Sequence, residues 1–353
     1  MKSVVFRSLE KELKEEWIAL WENSIVANYV NSPHWFSSVI DSFGYDDYIL
    51  IALYEKKKLV GVAGLIKEKR YGISVYTVPP GDFVCGLPFL VDLADKRAIS
   101  TLVDELIKNG PILLDNVPES VVTLLTKRKV EIQAIPYSIN FYSYLKKDEQ
   151  GKVIISNKKQ FLRKVKHIEN KFTLKIFHGD SEEAFTIAFQ IDKKSRKEIR
   201  GYNAFSGATV QQFYKSLGAN FKENFYTHIL YFEDTPILYE MGFRIGSTYF
   251  GSQIAFNEEY KSFTPGKVFL IKLAESLIGE NIQQINFGSG ESHVKRLFTE
   301  DYMQLYNVVI SKSLFIRFYL TTLYKIRARI FASFKKHIRS YAFYRRMKKM
   351  LRI

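Results

Sequence analysis

The chain contains few residues that could cross-link or disorder it. Cys85 is its one cysteine among 353 residues, which excludes an internal disulfide framework and is typical of a reducing compartment. We interpret Cys85 as a small buried apolar residue, because no histidine with an orienting partner can be assigned to it as a nucleophile. Proline and glycine number only 9 and 19, so no large disordered or fibrous segment is expected.

Long apolar runs are also absent from the sequence. No charge-free stretch reaches the roughly 18 residues that a membrane-spanning helix needs. Glutamates follow the first residues where a secretory signal would have its apolar region: Glu10, Glu12, Glu15 and Glu16. The six histidines show no ligand spacing, so no metal site is expected. These features favour a cytoplasmic protein without a metal.

Acidic residues are missing from the C-terminal end. From Tyr302 to Ile353 there is no Asp or Glu. The same stretch holds thirteen cations: Lys312, Arg317, Lys325, Arg327, Arg329, Lys335, Lys336, Arg339, Arg345, Arg346, Lys348, Lys349 and Arg352. They account for nearly all of the net charge of +15, so the rest of the chain is close to neutral.

The remaining composition, 46% hydrophobic and 15% aromatic, suits two well-filled cores of ordinary domain size. Hydrophobic periodicity in the first half predicts two helices, a hairpin with a third strand, a helix, a strand and a helix. The predicted ranges are 13–24, a helix from Pro33, 47–54, 59–66, 73–78, 95–108, 111–115 and 119–127. The second half repeats this order and adds a final strand, over 180–197, 209–217, 226–232, 236–243, 246–256, 264–278, 283–287, 292–298 and 303–310.

The order resembles the layout of the GNAT acyltransferase fold. We therefore predict an α/β (α+β) class with tandem GNAT-like domains, each a mixed, mainly antiparallel sheet flanked by helices, plus a basic amphipathic helical tail. The predicted limits are 1–150 for the first domain, 151–311 for the second, which carries the acyl-donor site, and 312–353 for the tail. A basic helix over 158–166 links the two halves.

The stretch Thr264-Pro265-Gly266-Lys267 is typical of a helix start next to a ligand. Thr264 is a candidate N-cap, Pro265 suits the first helical position, and Gly266 allows close approach to the backbone. The unpaired N–H groups of a helix N-terminus suit a pyrophosphate, and Lys267 adds a cation. A well-capped helix without a ligand is the alternative interpretation.

A second stretch ends a strand at a glycine pair. In Asn286-Phe287-Gly288-Ser289-Gly290 the backbone either approaches a ligand or only turns tightly, and a lone Gly-x-Gly does not distinguish these. His293 and Lys295 follow it and read as surface residues.

Together these stretches resemble the acetyltransferase family of cellulose and exopolysaccharide biosynthesis (the CelD/BcsL type), which is related to the Fem-type aminoacyltransferases of peptidoglycan. Thr264-Pro265-Gly266 is similar to a Ser-Pro-Gly signature of that family, and 286–290 to an Asp-Phe-Gly-x-Gly signature in which Asn286 replaces the usual Asp. The further similar stretches are 113–120, 156–159 with Arg163 and Lys166, 193–197, Gly201 and Phe213-Tyr214.

The resemblance implies transfer of an acyl group, acetyl from acetyl-CoA in the first instance, to an amine or hydroxyl of a cell-envelope or exopolysaccharide sugar or its precursor. The implied cofactor-binding residues are Gln253, Ile254, Ala255 and Phe256, whose backbone takes the oxyanion and pantetheine, with Thr264, Pro265, Gly266, Lys267, Asn286 and Gly288. The candidate bases are Glu240 and Glu258, and the candidate proton donors to the thiolate are Tyr302 and Tyr306.

The tail has apolar residues at steps of three or four from Phe318, through Tyr319, Leu323, Ile326, Ile330, Phe334, Ile338 and Tyr341. Such a basic, aromatic helix is typical of an interfacial helix on anionic lipid, which would make the enzyme peripheral on the inner face of the cytoplasmic membrane. Packing of the helix on the protein body and binding of RNA stay open. The functional alternatives are a Fem-type transferase that uses aminoacyl-tRNA and a non-catalytic GNAT-like scaffold.

Overall fold

The computed structural model describes residues 1–78, 86–126, 131–162, 165, 169–199, 205 and 207–337, with the side chains of 169, 199 and 327–337 excepted. Cys85, Arg163, Lys166, Gly201 and residues 338–353 therefore lie outside the described residues. The chain forms two compact units. Unit 1 contains Met1–Ser138 and Gln304–Ile353, and unit 2 contains Ile139–Met303.

Unit 1 is a mixed sheet flanked by helices. In chain order its first elements are β1 (Lys2–Phe6), α1 (Lys11–Glu22), α2 (Pro33–Phe43), β2 (Tyr48–Glu55), β3 (Lys58–Arg70), β4 (Ile73–Thr77), β5 (Leu90–Val91), α3 (Lys96–Lys108), β6 (Ile112–Pro118) and α4 (Glu119–Thr126). Strand β7 (Ile132–Tyr144) begins in unit 1 and ends in unit 2. The sheet runs β1-β2-β3-β4-β6, with β4 and β6 parallel and the other pairs antiparallel.

Local signals set the helix limits in unit 1. At the start of α2 the Ser32 hydroxyl accepts a 3.0 Å hydrogen bond from the backbone N–H of Trp35, and Pro33 follows at the first helical position. The same helix ends at Gly44, whose φ of 67° is left-handed. The Asp95 carboxylate caps α3 by accepting from the N–H groups of Arg97 and Ala98.

Unit 2 has the same construction. Its elements are α5 (Lys158–Leu162), β8 (Phe172–His178), α6 (Glu182–Lys193), α7 (Arg196–Ile199), α8 (Ala208–Phe221), β9 (Phe225–Phe232), β10 (Thr235–Ile245), β11 (Thr248–Phe256), α9 (Pro265–Gly279), β12 (Gln284–Ser289) and α10 (His293–Phe298). The sheet runs from the end of β7 through β12-β11-β10-β9-β8, with only β11 and β12 parallel. The predicted fold class is confirmed.

The last strand of each repeated pattern pairs outside its own repeat. Strand β13 (Tyr302–Ile310), from the second half of the sequence, pairs with β6 in unit 1, where Val309 lies opposite Leu113. The last part of β7, from the first half, pairs with β12 in unit 2. The units therefore differ from the predicted limits 1–150 and 151–311, which stay predictions of domain extent.

Four strands were not predicted: β1, β5, β7 and β8. The pattern of β7 explains its omission, because buried residues such as Ile132, Ile135 and Phe141 are separated by exposed and half-buried positions without a strict period of two.

Helix α11 (Leu314–His337) follows β13 and belongs to unit 1.

One part of the core of unit 2 lies between its sheet and α9, and helices α6 and α8 contribute other buried apolar residues. Val268, Phe269, Leu273, Ala274 and Leu277 of α9 are buried among residues of the sheet. Strand β10 is buried on both faces from Ile237 to Phe243, so polar residues there must find partners inside the protein. Glu240 is such a residue.

Candidate functional site

Strands β11 and β12 part in the middle of unit 2. They pair in parallel only over Thr248 to Phe250 and Gln284 to Asn286, although β11 continues to Phe256. On its other edge β11 stays paired with β10 as far as Phe256. From Gly251 to Phe256, no strand among the described residues pairs with the edge of β11 that faces away from β10, so backbone groups on that edge can meet a ligand.

A β-bulge lies at the same point. Gly251 pairs with Gly242 and Gln253 pairs with Met241, so Ser252 is one extra residue on β11. A bulge bends its strand and redirects the groups that follow. The redirected segment includes Gln253, Ile254, Ala255 and Phe256, which were predicted to bind the acyl donor.

A cavity of about 360 Å³ opens where the strands part. This volume is within the range of small-ligand sites, about 300–1,000 Å³. Its apolar walls come from β10, α9 and β12: Leu238, Phe269, Leu270, Leu273, Ile285 and Phe287. Its charged residues are Arg196, Lys197, Glu240 and Lys295, so among the described lining residues Glu240 is the only acid.

Glu240 is 4% exposed and belongs to a buried polar cluster. Its Oε2 accepts a 2.5 Å hydrogen bond from the Tyr249 hydroxyl and lies 3.1 Å from His228 Nδ1. The Tyr249 oxygen also lies 3.1 Å from Nδ1. A proton on Nδ1 gives every donor in this cluster an acceptor, and it leaves the buried Nε2, which has no partner among the described residues, as the unprotonated nitrogen.

The second carboxylate oxygen of Glu240 lies toward Gly251. Both hydrogen bonds of the carboxylate within the described residues end on Oε2. A Cβ on Gly251, which lines the cavity, would lie 3.1 Å from Oε1. Glycine at 251 therefore keeps Oε1 accessible from the cavity. Burial and the Glu240 carboxylate raise the pKa of Tyr249 well above its ordinary value, so this hydroxyl stays a donor.

Lys197 contributes a cation to the cavity from α7. Its Nζ donates a 2.7 Å hydrogen bond to the backbone oxygen of Ile254 on β11. Burial lowers the pKa of Lys197 to about 8, against an opposing effect of the Asp192 carboxylate. Asp192 is itself buried and accepts a 2.7 Å hydrogen bond from the Tyr239 hydroxyl. The Lys197 amine is thus able to exchange its proton near neutral pH.

Two side chains shape the turn after β12. Asn286 Oδ1 accepts a 3.0 Å hydrogen bond from the N–H of Gly288. Lys295 Nζ donates to the backbone oxygens of Gly288 and Gly290, each at 3.2 Å. An Asp at 286 would present the same kind of acceptor to the N–H of Gly288.

The start of α9 differs from the prediction in its capping. Thr264 has a left-handed backbone with φ of 51°, and its side chain makes no capping hydrogen bond. This conformation turns Oγ1 into a buried position without a partner among the described residues, so the predicted side-chain cap is wrong. Lys267 Nζ donates to the backbone oxygens of Gln160 and Phe161. Gly266 does line the cavity.

The structure brings together only part of the predicted site. Glu240, Gln253, Ile254, Ala255, Phe256 and Gly266 line one cavity. Glu258 lies in a 3₁₀ turn after β11, where it pairs with Lys261. Tyr302 is exposed beside Phe141, and Tyr306 belongs to unit 1, where its hydroxyl donates to Glu119 at 3.2 Å. Thr264, Pro265, Lys267, Asn286 and Gly288 flank the cavity residues in sequence.

Sequence analysis missed His228, Tyr249 and Lys197 as site residues. The pairing of the β9–β10 hairpin places His228 directly opposite Glu240. Counting back from the turn at Glu233-Asp234 would have placed Glu240 opposite Thr227, because the register shifts by one residue between Pro236 and Leu238. Lys197 lies in the stretch 193–197 that the resemblance had included, but no role at the site was assigned to it.

Comparison with known proteins agrees with this fold. Residues 156–296 match the family model described as an acetyltransferase (GNAT) domain. The crystal structure of FemX superimposes with a TM-score of 0.62 at 12% identity, over 87% of this chain and 97% of that one. The structure of L-PGS from Bacillus licheniformis superimposes with a TM-score of 0.55 at 12% identity, over 89% and 96%. Among curated proteins, none matches this chain in sequence.

Residues 156–296 are thus similar to an acetyltransferase (GNAT) domain, and the likeness of the chain to FemX and L-PGS is one of fold. Within the part of the chain that the structure describes, no group of three or more His, Cys, Asp or Glu side chains is arranged to hold a metal ion.

Proposed function

We propose that this protein transfers an acyl group, acetyl from acetyl-CoA in the first instance, to an amine or hydroxyl of a cell-envelope or exopolysaccharide sugar or its precursor. One observation carries the proposal: the cavity at the parting of β11 and β12 combines open strand backbone, apolar walls and one buried carboxylate. The match of residues 156–296 to an acetyltransferase (GNAT) domain supports an acyl donor at this position.

In this proposal the donor lies along the open edge of β11. Those backbone N–H groups of residues 253–256 that point away from β10 receive the thioester carbonyl and the pantetheine amides, as an extra strand would. Because the pairing of β11 with β10 fixes the strand, these groups are oriented before the oxyanion forms, which is the condition for stabilising it. The apolar residues of β12 and α9 hold the acyl chain.

Glu240 is the base of the proposed reaction. Its Oε1 takes the proton of the acceptor as the acceptor nitrogen or oxygen attacks the carbonyl carbon. The bond to sulfur then breaks, and the leaving thiolate receives a proton from Lys197, whose pKa of about 8 suits a donor at neutral pH. This assignment replaces Tyr302 and Tyr306 by Lys197 as the acid, because neither tyrosine is among the described residues that line the cavity.

We further propose that the acceptor is met at the inner face of the cytoplasmic membrane. The thirteen cations between Tyr302 and Ile353 suit an anionic surface, and a lipid-linked sugar precursor would be presented there. Among the described helices, none has the length and apolarity needed to cross a bilayer.

Calorimetric titration of the full chain with acetyl-CoA tests the donor site. Gly266→Asp places a negative charge at the cavity end of α9, and a side chain there meets no atom within 4 Å, so the fold should be kept while affinity falls at least about tenfold. Gly279→Asp is the matched control, since it lies at the other end of the same helix and is equally open. Equal affinity in both variants would refute the placement of the donor.

A second candidate is the Fem-type transfer from aminoacyl-tRNA. The start of α9 favours it, because Pro265 has no N–H, the N–H of Lys267 is bonded to the Thr264 oxygen at 3.0 Å, and the Lys267 amine is bonded to carbonyls. Few donors remain there for the diphosphate of CoA. A titration with aminoacyl-tRNA over a salt series would show a steep loss of affinity with salt if several phosphates are bound. Binding of neither donor would favour a non-catalytic scaffold.

A further inference from the structure

Helix α11 is fastened to unit 1 by one of its faces. Leu320 and Tyr324 are buried there against the sheet of unit 1. The Tyr324 hydroxyl donates to Asp115 at 3.1 Å, and the Thr321 hydroxyl donates to Gln133 Oε1 at 2.7 Å. The first three turns of the tail helix are therefore a fixed part of unit 1, which is the packing alternative left open by the sequence.

The opposite face of the same turns is apolar and exposed. Leu314, Phe315 and Phe318 are 70%, 75% and 70% exposed, and Tyr319 and Ile326 are exposed as well. At about 100° per residue these five positions fall on one side of the helix, away from Leu320 and Tyr324. We name them the outer face of α11. A contiguous exposed patch of this kind marks an interaction surface.

Charge limits what can cover the outer face. Lys312 and Lys325 lie exposed beside it, and the whole segment from Tyr302 to Ile353 holds thirteen cations and no acid. A second copy of the chain would oppose this segment with the same positive charge. A nucleic acid would match the charge but would leave two phenylalanines and a leucine without an apolar environment. A bilayer with anionic headgroups satisfies both, since its acyl region takes the apolar side chains and its phosphates face the cations.

We propose that the outer face of α11 inserts into the headgroup boundary of an anionic phospholipid bilayer and docks unit 1 on it. This inference rests on the proposed function in one respect, the location of the acceptor at the membrane. It adds which residues contact the bilayer. Because Leu320 and Tyr324 are held on unit 1, docking needs no release of the helix. The face differs from the one that periodicity predicted, which included Leu323.

Sedimentation of the full chain with vesicles tests the inference in the absence of any acyl donor. The wild-type chain is expected to bind mixed phosphatidylcholine and phosphatidylglycerol vesicles, to bind pure phosphatidylcholine weakly, and to lose binding as salt rises. The double variant Phe315→Ser/Phe318→Ser should lose more than about tenfold in partitioning while its melting temperature is unchanged, because both side chains are exposed. Ile25→Ser, which removes a 96% exposed apolar residue of unit 1 outside α11, is the matched control and should bind as wild type.

Several results would overturn the inference: equal vesicle binding by the double variant, equal binding to neutral vesicles, or equal loss in the Ile25→Ser control. A wild-type dimer that the double variant dissociates, seen by analytical ultracentrifugation without lipid, would assign the outer face to a second copy instead. Acetyl-CoA affinity measured on the same samples separates this inference from the proposed function, since vesicle binding and donor binding can fail independently.

Discussion

The hydroxyl of Tyr249 donates a 2.5 Å hydrogen bond to Oε2 of Glu240 at the buried end of the cavity. Tyr249 is on β11 and Glu240 is on the adjacent β10, so the bond joins these two paired strands beside the cavity. It holds one carboxylate oxygen inside the protein and leaves the other beside Gly251. Substitution of Tyr249 tests what this hydrogen bond contributes to stability, and substitution of Glu240 tests what the carboxylate contributes to catalysis.

The first prediction concerns stability. Tyr249→Phe removes the donor while keeping the ring, so a buried carboxylate loses a hydrogen bond. We expect the free energy of unfolding to fall by about 1–3 kcal/mol, measured by urea denaturation. Tyr306→Phe is the control: its hydroxyl bonds to Glu119 in a contact that is exposed to solvent, and its removal should change stability by less than about 0.5 kcal/mol. Equal losses of unfolding free energy in the two variants would mean that the buried Tyr249 hydrogen bond stabilises the protein no more than the exposed Tyr306 bond does.

The second prediction separates the two candidate bases. Glu240→Gln should lower the rate of acyl transfer by about 10²–10⁴-fold while leaving the affinity for acetyl-CoA nearly unchanged, because the base acts on the acceptor. Glu258→Gln should keep the rate within about twofold, since Glu258 pairs with Lys261 in the 3₁₀ turn and is not among the cavity residues. Single-turnover kinetics with a sugar amine would measure both, and the reverse order would assign the base to Glu258.

The third prediction uses the pKa of Lys197. Burial lowers this pKa from 10.5 to about 8, so the neutral amine should react with an acylating reagent half-maximally near pH 8. Peptide mass spectrometry over a pH series measures this labelling, and Lys197→Arg should abolish it at this site. Half-maximal labelling near pH 10 would contradict the buried environment.

The lowered pKa of Lys197 also predicts how the free energy of unfolding changes with pH. Between about pH 8 and 10.5 the unfolded chain binds more protons at residue 197 than the folded chain does. The contribution of Lys197 to the free energy of unfolding therefore rises with pH across this interval. Comparing urea midpoints of wild type and Lys197→Met at both ends of the interval measures it, and a fall with rising pH would be inconsistent with the lowered pKa.

The fourth prediction sets helix propensity against packing. Gly218 lies inside α8, and a Cβ there would be 2.6 Å from the backbone oxygen of Gly179. Although alanine favours helices by up to about 1 kcal/mol over glycine, Gly218→Ala should lower the free energy of unfolding by about 1–3 kcal/mol, because backbone must move. Gly279→Ala in α9 meets no atom within 4 Å and should be neutral or stabilising by up to about 1 kcal/mol. Thermal denaturation of the two variants measures the difference in their stability. A stabilised Gly218→Ala variant would show that the backbone at Gly179 moves away at little cost.

The predicted elements were recovered best where the local pattern was strong. The β9–β10 hairpin, α3 and α9 after Pro265 all form close to where the hydrophobic pattern and Pro265 predicted them. Strand β7 was missed because its burial does not alternate, and it is stabilised by pairing with β12, far away in sequence. Pairing of that kind has no local signature.

The candidate site was also predicted only in part. Residues 253–256 were named because the resemblance implies them, and Gly266 was named from the start of a helix; all five line the cavity. Tyr302 and Tyr306 could not be excluded from sequence, since the exposure of Tyr302 and the position of Tyr306 in unit 1 both depend on tertiary structure. Lys197 could not be included, because its environment depends on the contact of α7 with β11.

The sequence by itself determined the α/β class, the repeated order of elements, the near-neutral body and the basic tail, since each follows from composition or from contacts between near neighbours in the chain. Tertiary structure alone decided that β11 and β12 part at Gly251, that Glu240 is held there by Tyr249 and His228, and that Leu320 and Tyr324 turn inward while Phe315 and Phe318 face outward. These features depend on strand register and on the packing of distant segments, which a linear pattern does not specify.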